Sequence, residues 1–169
     1  YNDVRKFGFI KLFNNKKFEE NFHLKNLGPE PLGKRWNSVY FKNYIQGRKR
    51  TIKDILMDQR FISGLGNIYV NEVLFLSGIK PTRKVIKLKN IEINRLIQNI
   101  KKTLKIAIRL GGSSIKDFSS SDGKGGNFQQ LFKVYGRKGE LCSNVDCNAI
   151  IERIIISNRS SFFCKKCQK

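Results

Sequence analysis

The residues best suited to chemistry are four cysteines, all after residue 141. They read Cys142-x4-Cys147, then 16 residues, then Cys164-x2-Cys167. Two close pairs separated by a hairpin-length segment suit tetrahedral zinc. Each pair sits on a turn, and the hairpin brings the turns together at Zn–S distances of about 2.3 Å. With all four positions filled by cysteine, none is left for an activated water, so such a zinc is structural. Of the competing readings, two disulfides or free thiols, the disulfides require an oxidising compartment that nothing else in the sequence supports. Between the pairs, "IIERIIISNRSSFF" predicts strand, a Ser157-Asn158-Arg159 turn, and strand, with Arg159 at the tip. An arginine there can pin a phosphate or enter a groove. A solvated turn arginine is the plainer alternative.

A second candidate is "GLGNIY", residues 64–69. A dinucleotide fingerprint needs Gly-x-Gly-x-x-Gly after a strand, but position 69 is Tyr and the preceding segment reads as helix. The Gly-Lys-Ser/Thr of a phosphate loop is absent, so no nucleotide cofactor is expected. What remains open is a joint whose N–H groups and following helix N-terminus hold a backbone phosphate, or simply a tight turn between helices. Arg5, Lys6 and Phe7 place two cations beside an aromatic, the composition of a wedge that fills a gap in a base stack. Lys116 lies in "SSIKDFSSSDGKGGNFQQ", residues 113–130, a small, polar segment read as a mobile loop. The single histidine, His23, receives no role.

The elements that must position these residues can be read from periodicity. A strand is expected from Phe7 to Phe13, with its sheet partners upstream. "NLGPEPLGKRW", 26–36, reads as a linker. Asn37 or Ser38 caps a first helix, and Thr51 caps a second whose stripe runs through Phe61-Ile62 to Gly64. Asn67 is read as the N-cap of a third helix ending at Gly78. Asn90 is read as the cap of the longest, with Ile93, Leu96, Ile97, Ile100, Leu104, Ala107 and Ile108 at 3.6-residue spacing and Gly111-Gly112 as the stop.

The formal charge is 34 − 13 = +21 over 169 residues. Such an imbalance repels itself in the compact state, and its usual reason is a polyanionic partner. Apolar residues make up 40%, enough for a core. No apolar run approaches the roughly 20 residues of a membrane span, and no signal-peptide pattern occurs. A cytoplasmic location is therefore expected, with no membrane partner. Residue 1 is Tyr, and the chain is expected to be part of a longer one.

Taken in order, "DVRKFG", "DILMDQRFISGLGNIYVNEVLFLSGIKP", "GGSSIKDFSSSDGKGG", "VYGRKGELC" and "NRSSFFCKKCQK" resemble bacterial formamidopyrimidine-DNA glycosylases over nearly the whole chain. The resemblance implies a mainly α fold: a helix-two-turn-helix bundle with a small β zinc-ribbon, a C-terminal zinc-finger hairpin, preceded by a remnant strand of an N-terminal β-sandwich. Residues 1–25 would be that remnant, 26–130 the DNA-binding helical domain with lesion-capping loop 113–130, and 131–169 the zinc finger. The family excises oxidised purines, 8-oxoguanine and formamidopyrimidines, from duplex DNA and nicks the abasic site by β- and δ-elimination. Its nucleophile, an N-terminal proline, has no counterpart in these residues, nor do the neighbouring Glu and the Lys of the same domain. The fragment alone is expected to be inactive, as a monomer on damaged double-stranded DNA.

By the same resemblance, Arg5 matches the arginine facing the orphaned cytosine and Phe7 the aromatic wedge. Asn67 matches the phosphate-binding asparagine of the joint, with Tyr69 just inside the next helix. Arg48 and Lys53 fall at basic phosphate contacts, Lys116 in the loop over the flipped base, and Tyr135 near its end. Arg159 matches the zinc-finger arginine that grips the abasic-site phosphate and is linked to the second elimination, a catalytic role. Cys142, Cys147, Cys164 and Cys167 match the zinc ligands, although the x4 spacing exceeds the usual x2 and enlarges a turn. An endonuclease VIII-like enzyme for oxidised pyrimidines, and a non-catalytic module for damaged DNA, are the alternatives. "VRKFG" and "SSIKDF" favour the purine branch.

Overall fold

The computed structural model describes residues 8–12, 21–113 and 125–169. Arg5, Phe7 and Lys116 lie outside the described residues. Among those described, the regular elements are α1 (Ser38–Ile45), α2 (Ile52–Leu56), α3 (Asn67–Leu76), α4 (Asn90–Arg109) and an antiparallel hairpin of β1 (Ile151–Ile156) and β2 (Arg159–Cys164). Short 3-10 turns occupy Val85–Lys87 and Phe128–Leu131. Of the strand expected over Phe7 to Phe13, only 8–12 are described, and they carry no strand. A strand needs a ladder partner, and the hairpin is the only sheet among the described residues.

Helix α1 begins where the sequence places it. Asn37 is extended, and its side-chain oxygen accepts from the Tyr40 N–H at 3.0 Å, which satisfies one of the donors that a helix start leaves open. Phe41 and Ile45 face the core. The segment 26–36, read as a linker, is instead docked. Gly28 donates its N–H to the Gln59 carbonyl at 2.8 Å, and a Cβ there would stand 2.5 Å from the Phe61 backbone, so only glycine permits the approach. Trp36 is fully buried, with its ring 5.1 Å from Phe61 and 5.7 Å from Phe41.

Helix α2 stops after five residues, short of the stripe expected to reach Phe61-Ile62. Asp58 offers the backbone a different set of bonds. Its carboxylate accepts from the Arg60 N–H at 3.1 Å, and its carbonyl accepts from Phe61 and Ile62. Phe61, Ile62 and Leu65 are fully buried nonetheless, so the apolar spacing reached the core through turns rather than a helix. Gln59 closes the second turn by donating to the Leu65 carbonyl and accepting from the Gly64 N–H, at a Gly64 φ of +74°.

Asn67 is the first residue of α3 rather than its N-cap, a position held by Gly66 without a side-chain bond. The reason is that the Asn67 amide is engaged elsewhere, as described below. Helix α3 is wrapped on several sides. Val70, Val73 and Leu74 join the helical core, while Phe75 joins a second cluster with Val134, Ile151, Phe162 and cysteines. Asn90 likewise lies inside α4, one position beyond the actual cap. The Glu92 carboxylate accepts the Lys89 N–H at 2.7 Å. Ile93, Leu96, Ile97, Ile100 and Ala107 are buried as the periodicity predicts, whereas Ile108 is 67% exposed.

The described ends of segment 113–130 are tied together. Ser113 bridges Asn127, and Phe128 donates to the Gly112 carbonyl at 3.0 Å. A Cβ on Gly126 would stand 2.2 Å from that carbonyl. The hairpin turn is Ser157-Asn158, both at positive φ (47° and 59°), and Arg159 is not at the tip but opens β2, paired with Ile156. Two left-handed residues match the twist of the flanking strands. Replacing Trp36 by Ala should destabilise the helical core by about 3–5 kcal/mol in equilibrium denaturation. A loss below about 1 kcal/mol would show that segment 26–36 is not part of the core.

Candidate metal centre and nucleic-acid interface

Four Sγ atoms, from Cys142, Cys147, Cys164 and Cys167, lie within 4.8 Å of one another. Neighbouring pairs stand at 3.3, 3.6 and 3.8 Å. A ZnS4 tetrahedron with bonds of about 2.3 Å has edges of about 3.8 Å, so the donor set fits structural zinc. The x4 insertion is absorbed in the first turn, where Asp146 takes φ 61° and Val145 is 89% exposed. No ligand is lost. Burial pushes the Cys142 thiol up to about 12, while the Ala149 N–H draws Cys147 down to about 7. Zinc must displace these protons, so its affinity falls as pH falls.

The zinc-bearing segment is held against α3 by two buried polar side chains. Glu72, 2% exposed, accepts three consecutive N–H groups, from Lys133 (2.8 Å), Val134 (3.0 Å) and Tyr135 (2.8 Å). Asn71, fully buried, accepts the Phe162 N–H of β2 at 2.7 Å and donates to the Asn67 carbonyl at 2.7 Å. Neither residue belongs to the set predicted from the sequence. The available signal was two polar residues on an otherwise apolar helix, which must find partners once buried. Gln168 adds a third tie, accepting from the Cys164 N–H and donating to the Ile79 carbonyl.

These ties bring several predicted site residues together. The Ser160 carbonyl accepts from the Lys53 amine at 2.8 Å and from the Asn67 amide at 3.2 Å. Arg159, the residue before Ser160, is exposed beside them. Arg50, Lys53, Asp54, Asp58, Ser157 and Arg159 line a cleft of about 220 Å³. Lys53 is 1% exposed; burial first, and then the Arg159 charge, lower its pKa to about 8. A residue matched by resemblance to a phosphate contact is therefore also a brace under the hairpin.

Tyr135 is half-buried, edge-on to Phe162 at 5.2 Å and to Phe132 at 5.5 Å. Phe128 continues the run to Tyr69, so ring contacts link α3, the root of the 113–130 segment and the hairpin. Arg48 stands apart, folded back on α1 with its Nε donating to the Tyr44 carbonyl and its guanidinium 4.3 Å from the Tyr44 ring. A second, mostly apolar cleft of about 470 Å³ opens beside Tyr69, lined also by Glu30, Ser63, Leu104, Ile108 and Gly112. No helix among the described residues is long and apolar enough to cross a membrane.

The family model for the formamidopyrimidine-DNA glycosylase H2TH domain matches residues 27–119. The chain belongs to the formamidopyrimidine-DNA glycosylase family. It is 43% identical over its full length to the formamidopyrimidine-DNA glycosylase of a Ruegeria species, and 43% to that of Hydrogenovibrio crunogenus. It spans about 60% of the length of these curated relatives. Among solved structures it superposes on Lactococcus lactis Fpg bound to abasic-site DNA with TM-score 0.90 at 38% identity, covering 99% of this chain and 60% of that one. The MutM (Fpg) protein of Thermus thermophilus gives TM-score 0.80 at 37% identity over 86% of this chain and 55% of its own. A variant of the Lactococcus enzyme was solved with Fapy-dG-containing DNA.

Two outcomes test this glycosylase-family joint. Glu72→Ala should cost about 3–5 kcal/mol, because three N–H groups, that of Val134 buried, lose their acceptor. Chelating the zinc should abolish amide-exchange protection in β1 and β2 while leaving the fluorescence of Trp36, the single tryptophan, unchanged. A hairpin equally protected with and without metal would refute the structural role.

Proposed function

We propose that this chain is the DNA-gripping part of a base-excision-repair enzyme that removes oxidised purines, such as 8-oxoguanine and formamidopyrimidines, and cleaves the abasic site by β,δ-elimination. The observation that carries this is the meeting of the Lys53 amine and the Asn67 amide of α3 on the Ser160 carbonyl, beside Arg159, which lines one cleft with Lys53, in a chain of charge +21. A helix start presents N–H groups to a phosphate, and two cations beside it favour the same ligand. In this reading residues 1–25 belong to a catalytic β-sandwich, 26–130 to the helical DNA-binding domain and 131–169 to the zinc finger. The amine nucleophile belongs to the part of the longer relatives that this chain does not span.

The proposed division of labour rests on position for the described residues and on the family resemblance for Arg5, Phe7 and Lys116. Asn67 and the α3 N-terminus, with Arg159 and Lys53, hold phosphates flanking the lesion. Arg48 adds a peripheral contact, while Tyr69 and Tyr135 set the walls. The apolar cleft beside Tyr69 lies at the root of the 113–130 segment, where an extruded base is received and Lys116 closes over it. Arg5 and Phe7 fill the hole left in the stack, which offsets a few kcal/mol of lost stacking. The protein acts as a monomer on chromosomal DNA in the bacterial cytoplasm, at no membrane and with no nucleotide.

The test is binding of abasic and intact duplexes across a salt series. Affinity should fall steeply with salt, as displacement of counterions from phosphates requires. Arg159→Ala should weaken abasic-site binding about tenfold, roughly 1.4 kcal/mol, and intact duplex less. Equal losses on the two duplexes, or a flat salt series, would overturn the reading. Preference for oxidised-pyrimidine over oxidised-purine duplexes would favour the endonuclease VIII-like alternative.

A further inference from the structure

A carboxylate in a cleft that receives phosphate opposes its ligand, yet this cleft contains two, Asp54 and Asp58. Asp58 is neutralised by Arg50, whose Nη1 stands 2.8 Å from it. Asp54 has no such ion pair among the described residues. Its two oxygens are held differently. Oδ2 accepts from the Thr51 hydroxyl at 2.7 Å, and Oδ1 accepts a short bond from the Ser157 hydroxyl, in the turn between β1 and β2. Burial pushes the Asp54 carboxyl up, but the bonds from Ser157 and Thr51 and the Arg50 charge outweigh it and hold it below its usual value.

The Ser157 bond falls at an informative place. A two-stranded hairpin is marginal by itself, and Ser157, Asn158 and Arg159 are all exposed. On one side of Arg159 the Ser160 carbonyl is anchored by Lys53 and Asn67. On the other side the only side-chain bond from the turn to the helical part, among the described residues, is Ser157 to Asp54. Arg159 thus stands between two fixed points that both lead back to the first turns of α2 and α3. We propose that Asp54 is a positioning residue: oriented by Thr51, its carboxylate tethers Ser157 and so sets where the Arg159 guanidinium stands before DNA arrives. This rests on the reading of Arg159 as a phosphate contact. Ordering the arm in advance removes part of the cost of immobilising it on binding.

Asp54 also occupies the third position of α2, where an acidic side chain stabilises a helix start. Ser157→Ala separates the two roles, because it leaves the cap intact. The experiment uses the zinc-loaded chain, with Asp54→Ala, Ser157→Ala, Arg159→Ala and their double variants. Amide 15N relaxation of residues 157–159 is read without DNA, and affinity is read on an abasic duplex. Order at these amides should fall alike in Asp54→Ala and Ser157→Ala and no further in the double variant. Both single variants should weaken binding about threefold, and neither should matter once Arg159→Ala is present. Unchanged order in Ser157→Ala, or losses that add to that of Arg159→Ala, would overturn the proposal. If the unaltered chain binds no DNA, the function reading falls, and the relaxation data still decide whether the tether exists.

Discussion

A carboxylate shut away from water must be fully bonded, and in this chain that constraint sits at Glu72. Three successive N–H groups converge on it, which dictates the path of residues 133–135 more strictly than any apolar contact could. Hydrophobic burial is non-directional; a three-fold hydrogen-bond nest is not. Once that path is set, Tyr135 packs on Phe162, and the zinc module can lie against only one face of α3. Asn71, one residue earlier, applies the same logic to β2. A single helix therefore carries the apolar residues of the helical core and the polar residues that orient the metal module.

Four acids, Asp54, Asp58, Glu72 and Glu92, serve geometry rather than net charge. Asp54 and Asp58 shape the α2 region, Glu92 starts α4 and pairs with Arg83, and Glu72 holds the joint. With those acids spent on internal contacts, much of the positive charge faces outward without opposition. This separation explains how a chain of +21 keeps a defined fold while presenting a strong field to a polyanion. Lys53 is the exception, a cation drawn inside as a donor to the hairpin, which burial and then the Arg159 charge make more acidic.

Zinc completes the arrangement from the other end. The hairpin is too small to bury a core of its own, and small modules of this kind need a staple. The four sulfurs hold the far end of the two strands, α3 holds the middle, and Lys53, Asn67 and Asp54 hold the turn. Arg159 gains its position from all three.

Local rules read along the chain were enough for the zinc ligands, the long stripe of α4, the cap of α1 and the glycine stops after α3 and α4. Each of these depends on residues a few positions apart, at spacings that backbone geometry imposes. Where reading failed, the competing partner was distant or the choice was between two local bonds. Asp58 ended α2 early by offering the backbone other turns, and Asn67 gave up capping for a carbonyl 93 residues away. Lys53 turned inward to Ser160, 107 residues on, and Glu72 met its partners more than 60 residues later. The sequence by itself thus determined which chemistry the chain carries: a ZnS4 centre, a glycine joint and a surplus of cations. Tertiary structure alone decided which of those groups meet, because the bonds that gather them join side chains to backbone atoms whose proximity no spacing along the chain encodes.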